Sequence, residues 1–124
     1  MIENGADIHV DNDYALRMSS ENGHIDVVKF LVEKGANIHA ENDWALRWSC
    51  YAGCIEVVKY LVEKGADIHI GDDFALKFSN QNEHFDIVRF LLNYDLDFFS
   101  NNEFAKSIVK VHKLIEFYKK FNIE

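Results

Sequence analysis

The 124-residue chain has no proline, only two cysteines and no long apolar run. No segment approaches the roughly 18 consecutive apolar residues that a bilayer-spanning helix needs. The first ten residues, MIENGADIHV, show neither the basic start nor the apolar stretch of a secretory signal. Few cysteines and no visible signal fit a reducing compartment. We therefore expect an intracellular protein that is neither secreted nor bound to a membrane.

Basic residues are also scarce, since 13 lysines and arginines stand against 21 acids and give a net charge of −8. The imbalance is uneven: residues 1–105 hold 19 acids and 8 bases, whereas residues 106–124 hold 2 acids and 5 lysines. Nucleic-acid binding requires a basic surface, which the acidic part of the chain does not offer. The lysines near the end are interpreted as the solvated face of a terminal helix. We expect no nucleic-acid partner.

Signature motifs of common enzymes are missing as well. The chain contains no G-x-x-x-x-G-K, G-x-G-x-x-G, G-x-S-x-G or H-E-x-x-H, the sequence marks of phosphate loops, dinucleotide folds, serine hydrolases and zinc proteases. The acid pairs Asp11/Asp13 and Asp72/Asp73 fall in connectors that should be solvated, without the apolar pocket that a general acid needs. We expect no enzymatic activity and no cofactor.

The sequence does contain a thirty-residue unit that occurs three times in tandem. The first copy, GADIHVDNDYALRMSSENGHIDVVKFLVEK at 5–34, recurs at 35–64 with 19 identical positions and again, with more drift, at 65–94. A fixed period in this range is typical of a solenoid, in which each unit buries its apolar face against its neighbours. Such arrays present a surface, so binding is the first function to consider.

Each unit predicts two helices joined by a turn, with an extended connector leading to the next unit. Asp13 precedes the first helix, as do Asp43 and Asp73 in the same register, and each is expected to cap free backbone N–H groups. The second helix, IDVVKFLVEK in the first copy, places its apolar residues on one stripe. Gly35 and Gly65 follow where a left-handed residue would end it. The pattern predicts an all-α fold without a continuous sheet.

The order G-A-D-I-H, then A-L, then N-G-H-I-D-V-V-K-F-L-V-E-K-G-A resembles the ankyrin repeat over roughly residues 2–98. The resemblance implies an ankyrin-type α-solenoid of stacked helix–turn–helix repeats that binds other proteins through the concave face of its first helices. The thirty-residue period and the A-L-R motif are further similar to ankyrin arrays of giant amoeba-infecting DNA viruses of the mimivirus kind. That resemblance implies a host protein as the partner and the host cytoplasm as the location.

The unit departs from the family in length, since the family uses roughly 33 residues. The three missing residues fall in the finger connector, which shifts binding onto the first helices. The family's T-P-L-H is replaced by Tyr14-Ala15-Leu16-Arg17, so Asp13 is expected to take over the capping role. We predict a single ankyrin domain at 1–124, composed of a helix remnant at 1–4, full repeats at 5–34, 35–64 and 65–94, and a degenerate C-terminal cap at 95–124.

The candidate binding residues lie on the first helices. Two rows, Tyr14/Trp44/Phe74/Phe104 and Met18/Trp48/Phe78, are four residues apart and therefore share a helix face. The first row is interpreted mainly as packing beneath the short finger, and the second fits packing and binding equally. Positions equivalent to 21 and 22 match those with which the family contacts partners. The candidate set is Met18, Glu21, Asn22, Trp44, Trp48, Tyr51, Phe78, Gln81 and Asn82, with Trp48 and Tyr51 at its centre.

Histidines and cysteines raise the question of a metal or redox site. His9, His39 and His69 recur every thirty residues, so stacked repeats would hold them about 10 Å apart, too far for one zinc ion. We expect these rings to hydrogen-bond backbone in the connectors. Cys50 and Cys54 form a single C-x3-C pair, whereas structural zinc sites need four ligands. They are interpreted as packing residues, and a redox or metal role for the pair remains an alternative.

Together these features predict a monomeric, non-enzymatic protein-interaction module. Its acidic connectors would steer a partner that carries a basic patch. An alternative is that the chain is the substrate-recruiting arm of a larger viral adaptor, for example one linked to a ubiquitin ligase. A longer reading frame would distinguish that alternative.

Overall fold

A computed structural model describes the backbone of residues 7–120 and the side chains of residues 7–111 and 113. This part of the chain is all-helical, which confirms the predicted fold class. The first four residues, predicted to be a helix remnant, lie outside the described range. The helices are α1 (Val10–Glu21), α2 (Ile25–Glu33), α3 (Ala40–Ala52), α4 (Ile55–Glu63), α5 (Ile70–Gln81), α6 (Phe85–Tyr94), α7 (Leu96–Ser100) and α8 (Glu103–Lys120).

Internal contacts divide the chain into two compact units, the first ending at Arg89 and the second beginning at Phe90. In the first unit α1 packs on α3, α3 packs on α5, and α2 packs on α4. Leu16, Leu46 and Leu76 occupy one register of the first helices, and each is at most 1% exposed. The core of this unit is therefore a row of equivalent positions, as expected when each repeat buries its apolar face against the next.

The second helices end as their glycines predict. Gly35 has a φ of 99°, in the left-handed region. Its N–H donates to the Val32 carbonyl, and the N–H of Ala36 donates to the Leu31 carbonyl. These two bonds form a Schellman motif, which satisfies carbonyl groups that the helix end would leave unpaired. The same pair of bonds recurs at Gly65.

Each first helix opens with a left-handed turn, and the connector before it contains a turn and is not extended throughout as we expected. Three consecutive residues have φ of 54–62° and ψ of 40–52° in every repeat. They are Asp11-Asn12-Asp13, Glu41-Asn42-Asp43 and Gly71-Asp72-Asp73. Asn and Asp tolerate this conformation better than other side chains, and Gly adopts it freely. Glu41 is the one residue of the nine outside these types. The regular helix follows the third residue of each turn.

Arginine side chains brace two of the left-handed turns. Arg17 donates from Nε to the Asn12 carbonyl at 3.1 Å and from Nη2 to the Asp11 carbonyl at 2.9 Å. Arg47 makes the equivalent pair of bonds in the second repeat, at 2.8 and 2.9 Å. The forked guanidinium therefore ties the carbonyls of two successive turn residues to the helix that follows. The A-L-R motif therefore has a structural role that the sequence did not reveal.

Two of the three predicted N-cap aspartates, Asp13 and Asp43, instead link one repeat to the next. Asp43 is 3% exposed, and its carboxylate accepts the Asp67 N–H at 2.7 Å and the His39 Nδ1–H at 2.9 Å. Asp13 makes the same two bonds, to the N–H of Asn37 and the ring of His9. The expected capping of helix N–H groups is therefore wrong, because the left-handed turn aims these carboxylates at the neighbouring repeat.

The same geometry corrects the expectation for the connector histidines. The rings of His9, His39 and His69 bond carboxylates at 2.6–2.9 Å, not backbone groups as expected. It is the backbone N–H of each histidine that bonds within the connector, to the side chain two residues earlier. The histidines therefore hold the inter-repeat carboxylates in place.

The second unit contains the end of α6 with α7 and α8. The Asp95 side chain accepts the Phe98 N–H and caps α7. Phe99, Ala105 and Ile108 are buried, and α7 packs on α8. α8 runs as one helix, without the turn that divides each preceding repeat. The assignment of residues 95–124 as a C-terminal cap, and of the whole chain as one domain, remains a prediction.

Candidate functional site

Five rings form a continuous cluster on α3 and α5. The aromatic cluster consists of Trp44, Trp48, Tyr51, Phe74 and Phe78. Ring centroids lie 5.5 Å apart for Trp44–Trp48, 5.0 Å for Trp48–Tyr51, 5.9 Å for Trp48–Phe74, 5.8 Å for Tyr51–Phe78 and 3.9 Å for Phe74–Phe78. Aromatic pairs at such distances stabilise one another by about 0.5–1.5 kcal/mol beyond area burial. These contacts therefore hold the five rings in a fixed arrangement.

The cluster remains partly open to solvent. Tyr51 is 42% exposed, and the other four rings are half-buried. The indole nitrogens of Trp44 and Trp48 are buried and have no hydrogen-bond partner among the described residues. The exposed part of the two indoles is consequently carbon. The cluster presents ring faces and edges instead of indole donors.

Two arginines extend the first aromatic row by packing across repeats. The guanidinium carbon of Arg17 lies 4.9 Å from the Trp44 ring centroid, and that of Arg47 lies 5.0 Å from the Phe74 centroid. Both distances are within the range of cation–π attraction. Within the first unit, Trp44 and Phe74 of the first row thus join neighbouring repeats. Tyr14 of the same row is 52% exposed.

The predicted site residues are brought together only in part. Trp44, Trp48, Tyr51 and Phe78 meet in the cluster, which also contains Phe74. Phe74 was missing from the candidate set, although its position thirty residues after Trp44 was a usable signal.

The remaining candidates lie on α1 or at the ends of the first helices. Met18 occupies the register of Trp48 one repeat earlier. Asn22 donates from its amide to the Met18 carbonyl, and Asn82 donates to the Phe78 carbonyl, both at 2.8 Å. These amides close the helix ends. Glu21 is half-buried and Gln81 is exposed.

The two cysteines are free and occupy packing positions. Cys50 is fully buried, and burial raises the pKa of its thiol far above the ordinary range. Burial also raises the pKa of Cys54, whose Sγ–H donates to the Glu21 carbonyl at 3.8 Å. His84 occupies the equivalent turn position and donates from Nε2 to the Tyr51 carbonyl at 2.9 Å. Cys54 thus makes the inter-repeat contact that a histidine makes in the third repeat.

The raised pKa values keep Cys50 and Cys54 mostly in the thiol form. Because the thiolate is the form that reacts, we expect thiol reagents to label both residues slowly. At pH 8, Ellman's reagent should modify Cys54 slowly and Cys50 only when the chain unfolds. A Cys54→Ser variant isolates the Cys50 rate, and the same reaction in denaturant gives the unprotected rate. Rapid modification of both native thiols would support the redox alternative.

Within residues 7–111 and 113, no group of three potential metal-ligating side chains is found.

Comparison with known proteins found one matching family profile and a similar viral protein. Residues 1–72 match the profile of the family described as "Ankyrin repeats (3 copies)". A stretch of 28 residues is 64% identical to an ankyrin repeat protein of Acanthamoeba polyphaga mimivirus. That stretch covers 23% of this chain and 11% of the mimivirus protein, so the likeness concerns a small part of the longer relative. Among the described residues, no helix is both long and apolar enough to cross a bilayer.

Proposed function

Because this chain belongs to the ankyrin repeat family, a non-enzymatic fold whose members bind other proteins, we propose that it binds a partner protein through the face formed by α1, α3 and α5. The observation that carries the proposal is the partly exposed aromatic cluster on α3 and α5. Trp and Tyr are enriched among the residues that dominate binding energy at interfaces. The proposed contact residues are Met18, Glu21, Asn22, Trp44, Trp48, Tyr51, Phe78, Gln81 and Asn82.

Rigidity supports this function. The cluster sits on helices that are locked to one another by the buried carboxylates of Asp13 and Asp43. Side chains that are already ordered lose little conformational entropy on binding. A monomeric array of this kind would recognise its partner without rearranging.

The charge of the chain suggests the partner's chemistry. Residues 1–105 carry 19 acids against 8 bases, so complementary potentials favour a partner with a basic patch. The likeness to a mimivirus protein suggests a host protein as that partner, met in the host cytoplasm.

A paired capture experiment tests the proposed face. The wild-type chain and a Trp48→Ala/Tyr51→Ala variant are each used to capture proteins from an amoebal lysate, and the affinity of any captured protein is then measured. Truncating a single binding hot spot costs at least about 2 kcal/mol, so the double variant should bind at least about 30 times more weakly even if only one of the two residues is a hot spot.

Two controls separate binding from folding. Phe30→Ala removes an exposed ring from α2, away from the proposed face, and should leave binding intact; Phe30 is 39% exposed. Tyr51→Ala alone removes the most exposed ring of the cluster, so it should weaken binding with a smaller loss of thermal stability than the double variant shows. Equal capture by the double variant and the wild type would place the binding site elsewhere on the chain.

A further inference from the structure

We infer that the exposed edge of the aromatic cluster, formed by Trp48, Tyr51 and Phe78, binds a cationic side chain of the partner, a lysine or an arginine. We call these three residues the cation edge. The inference rests on the proposed binding face and specifies the chemistry of its central contact. It follows from the ring geometry, from the helix ends beside the rings and from the charge of the chain.

The ring geometry favours a cation over a hydrogen-bond acceptor. Trp48 is bracketed by Tyr51 at 5.0 Å and Phe74 at 5.9 Å, and its indole N–H is buried beneath its neighbours. A carbonyl or carboxylate of a partner would therefore find no indole donor at this surface. A cation would find the exposed surface of three rings, and Trp attracts cations more strongly than the other aromatic side chains do.

The same surface already shows this kind of contact one helical turn away. Arg17 lies over Trp44 and Arg47 lies over Phe74, at 4.9 and 5.0 Å. Both arginines are held at the N-terminal end of the first helices by the carbonyls of the left-handed turns. Their guanidinium groups occupy the first row. Neither of these two contacts involves a ring of the cation edge.

Helix direction adds to the preference for positive charge. Tyr51 lies in the last turn of α3, which ends at Ala52, and Phe78 lies in the last turn of α5, which ends at Gln81. Helix C-termini carry a partial negative charge, and cations are stabilised within the last turn. Glu21 at the end of α1 and Glu83 just after α5 add full negative charges at the same end of the helices.

An apolar side chain is the main competing occupant, since half-buried rings also attract aliphatic groups. The excess of acids in residues 1–105 favours a cationic occupant over an apolar one. An acidic surface raises the local concentration of cationic groups and does not act on neutral ones. The test therefore compares charged and neutral side chains of the same shape.

The probes are glycine pentapeptides with one central arginine, citrulline or leucine. Citrulline keeps the shape of arginine without its charge. The chain contains two tryptophans, Trp44 and Trp48, so the indole N–H region of a ¹H–¹⁵N NMR spectrum has two resonances that report on the site. The arginine peptide should shift the Trp48 resonance with a Kd at least about five times lower than that of the citrulline peptide. Equal or tighter binding of either neutral peptide would overturn the inference.

Variants distinguish ring-mediated binding from attraction by overall charge. Tyr51→Leu/Phe78→Leu keeps apolar side chains and net charge but removes two ring faces, so the preference for arginine over citrulline should fall towards one. Phe30→Leu is the control and should preserve the preference. A preference that persists in the double variant would assign it to bulk charge and overturn the cation edge.

The outcomes also separate this inference from the proposed function. If capture requires Trp48 and Tyr51 but neutral peptides bind as well as the arginine peptide, the binding face stands and the cation edge fails. If Trp48→Ala/Tyr51→Ala captures the partner as well as the wild type does, the proposed function itself fails.

Discussion

Replacing Asp43 with alanine is expected to lower the free energy of unfolding by about 2–4 kcal/mol. The carboxylate is 3% exposed and accepts the Asp67 N–H of the next repeat at 2.7 Å and the His39 ring N–H at 2.9 Å. Alanine removes the acceptor of both bonds, and a hydrogen bond to a charged group contributes about 1.5–3 kcal/mol. The His39 ring is exposed, so water restores part of its bond. Equilibrium unfolding in urea, followed by circular dichroism, measures the change.

Two further variants test whether the loss of stability in Asp43→Ala comes from the hydrogen bonds of the carboxylate. Asp43→Asn keeps the shape and one acceptor oxygen, so it should lose about half as much stability as alanine. Glu56→Ala removes an exposed acid from the first turn of α4 and should change stability by less than about 1 kcal/mol. A loss below about 1 kcal/mol for Asp43→Ala would show that the carboxylate link does not hold the repeats together.

Gly53→Ala is expected to cost about 2–3 kcal/mol, because two penalties coincide at this turn. The φ of Gly53 is 87°, and an added Cβ would lie 2.7 Å from the His84 ring. The ring would have to move and would lose its bond to the Tyr51 carbonyl. Thermal and urea unfolding of the variant measure the loss.

Comparison with the other repeats separates the two penalties. In the third repeat Glu83 occupies the equivalent position with a φ of 62°, so the backbone conformation by itself admits a side chain. Gly23 faces the smaller Cys54, whose Sγ would lie 3.0 Å from an added Cβ. Gly53→Ala/His84→Cys reproduces that smaller neighbour and should be less destabilised than Gly53→Ala/His84→Gln. Equal losses in both double variants would indicate backbone strain alone.

The repeat architecture could be predicted because the same sequence signals recur from unit to unit. The period and the helix stripe recur three times and the helix-ending glycine twice, and Gly35 forms the Schellman motif that its position predicts. Local signals of this kind depend on residues close in the chain, which a single sequence displays directly.

The left-handed turns were missed because their residues also suit another role. Asp13 before a helical pattern indicates an N-cap, and the same Asn and Asp residues tolerate left-handed backbone. The H-x3-D spacing of His9 and Asp13, present in all three repeats, was a usable signal for the ring–carboxylate pair. The N–H partner of that carboxylate lies 24 residues away, and nothing local in the sequence indicates it.

The proposed binding face was predictable in register but not in detail. Spacing of four residues places Trp44 and Trp48 on one side of α3, as observed. The packing of Arg17 over Trp44 depends on how closely α1 and α3 approach, which the sequence does not specify. The burial of the indole nitrogens depends on the same packing.

The braced left-handed turns have a consequence for the kinetics of recognition. Arg17 and Arg47 fix the left-handed turns that open α1 and α3, so these turns need not close or fold when a partner approaches. Association without such a step commonly proceeds at about 10⁵–10⁷ M⁻¹s⁻¹, and electrostatic steering increases the rate. Differences in affinity among competing partners would then arise in their residence times, through dissociation rates set by the aromatic contacts.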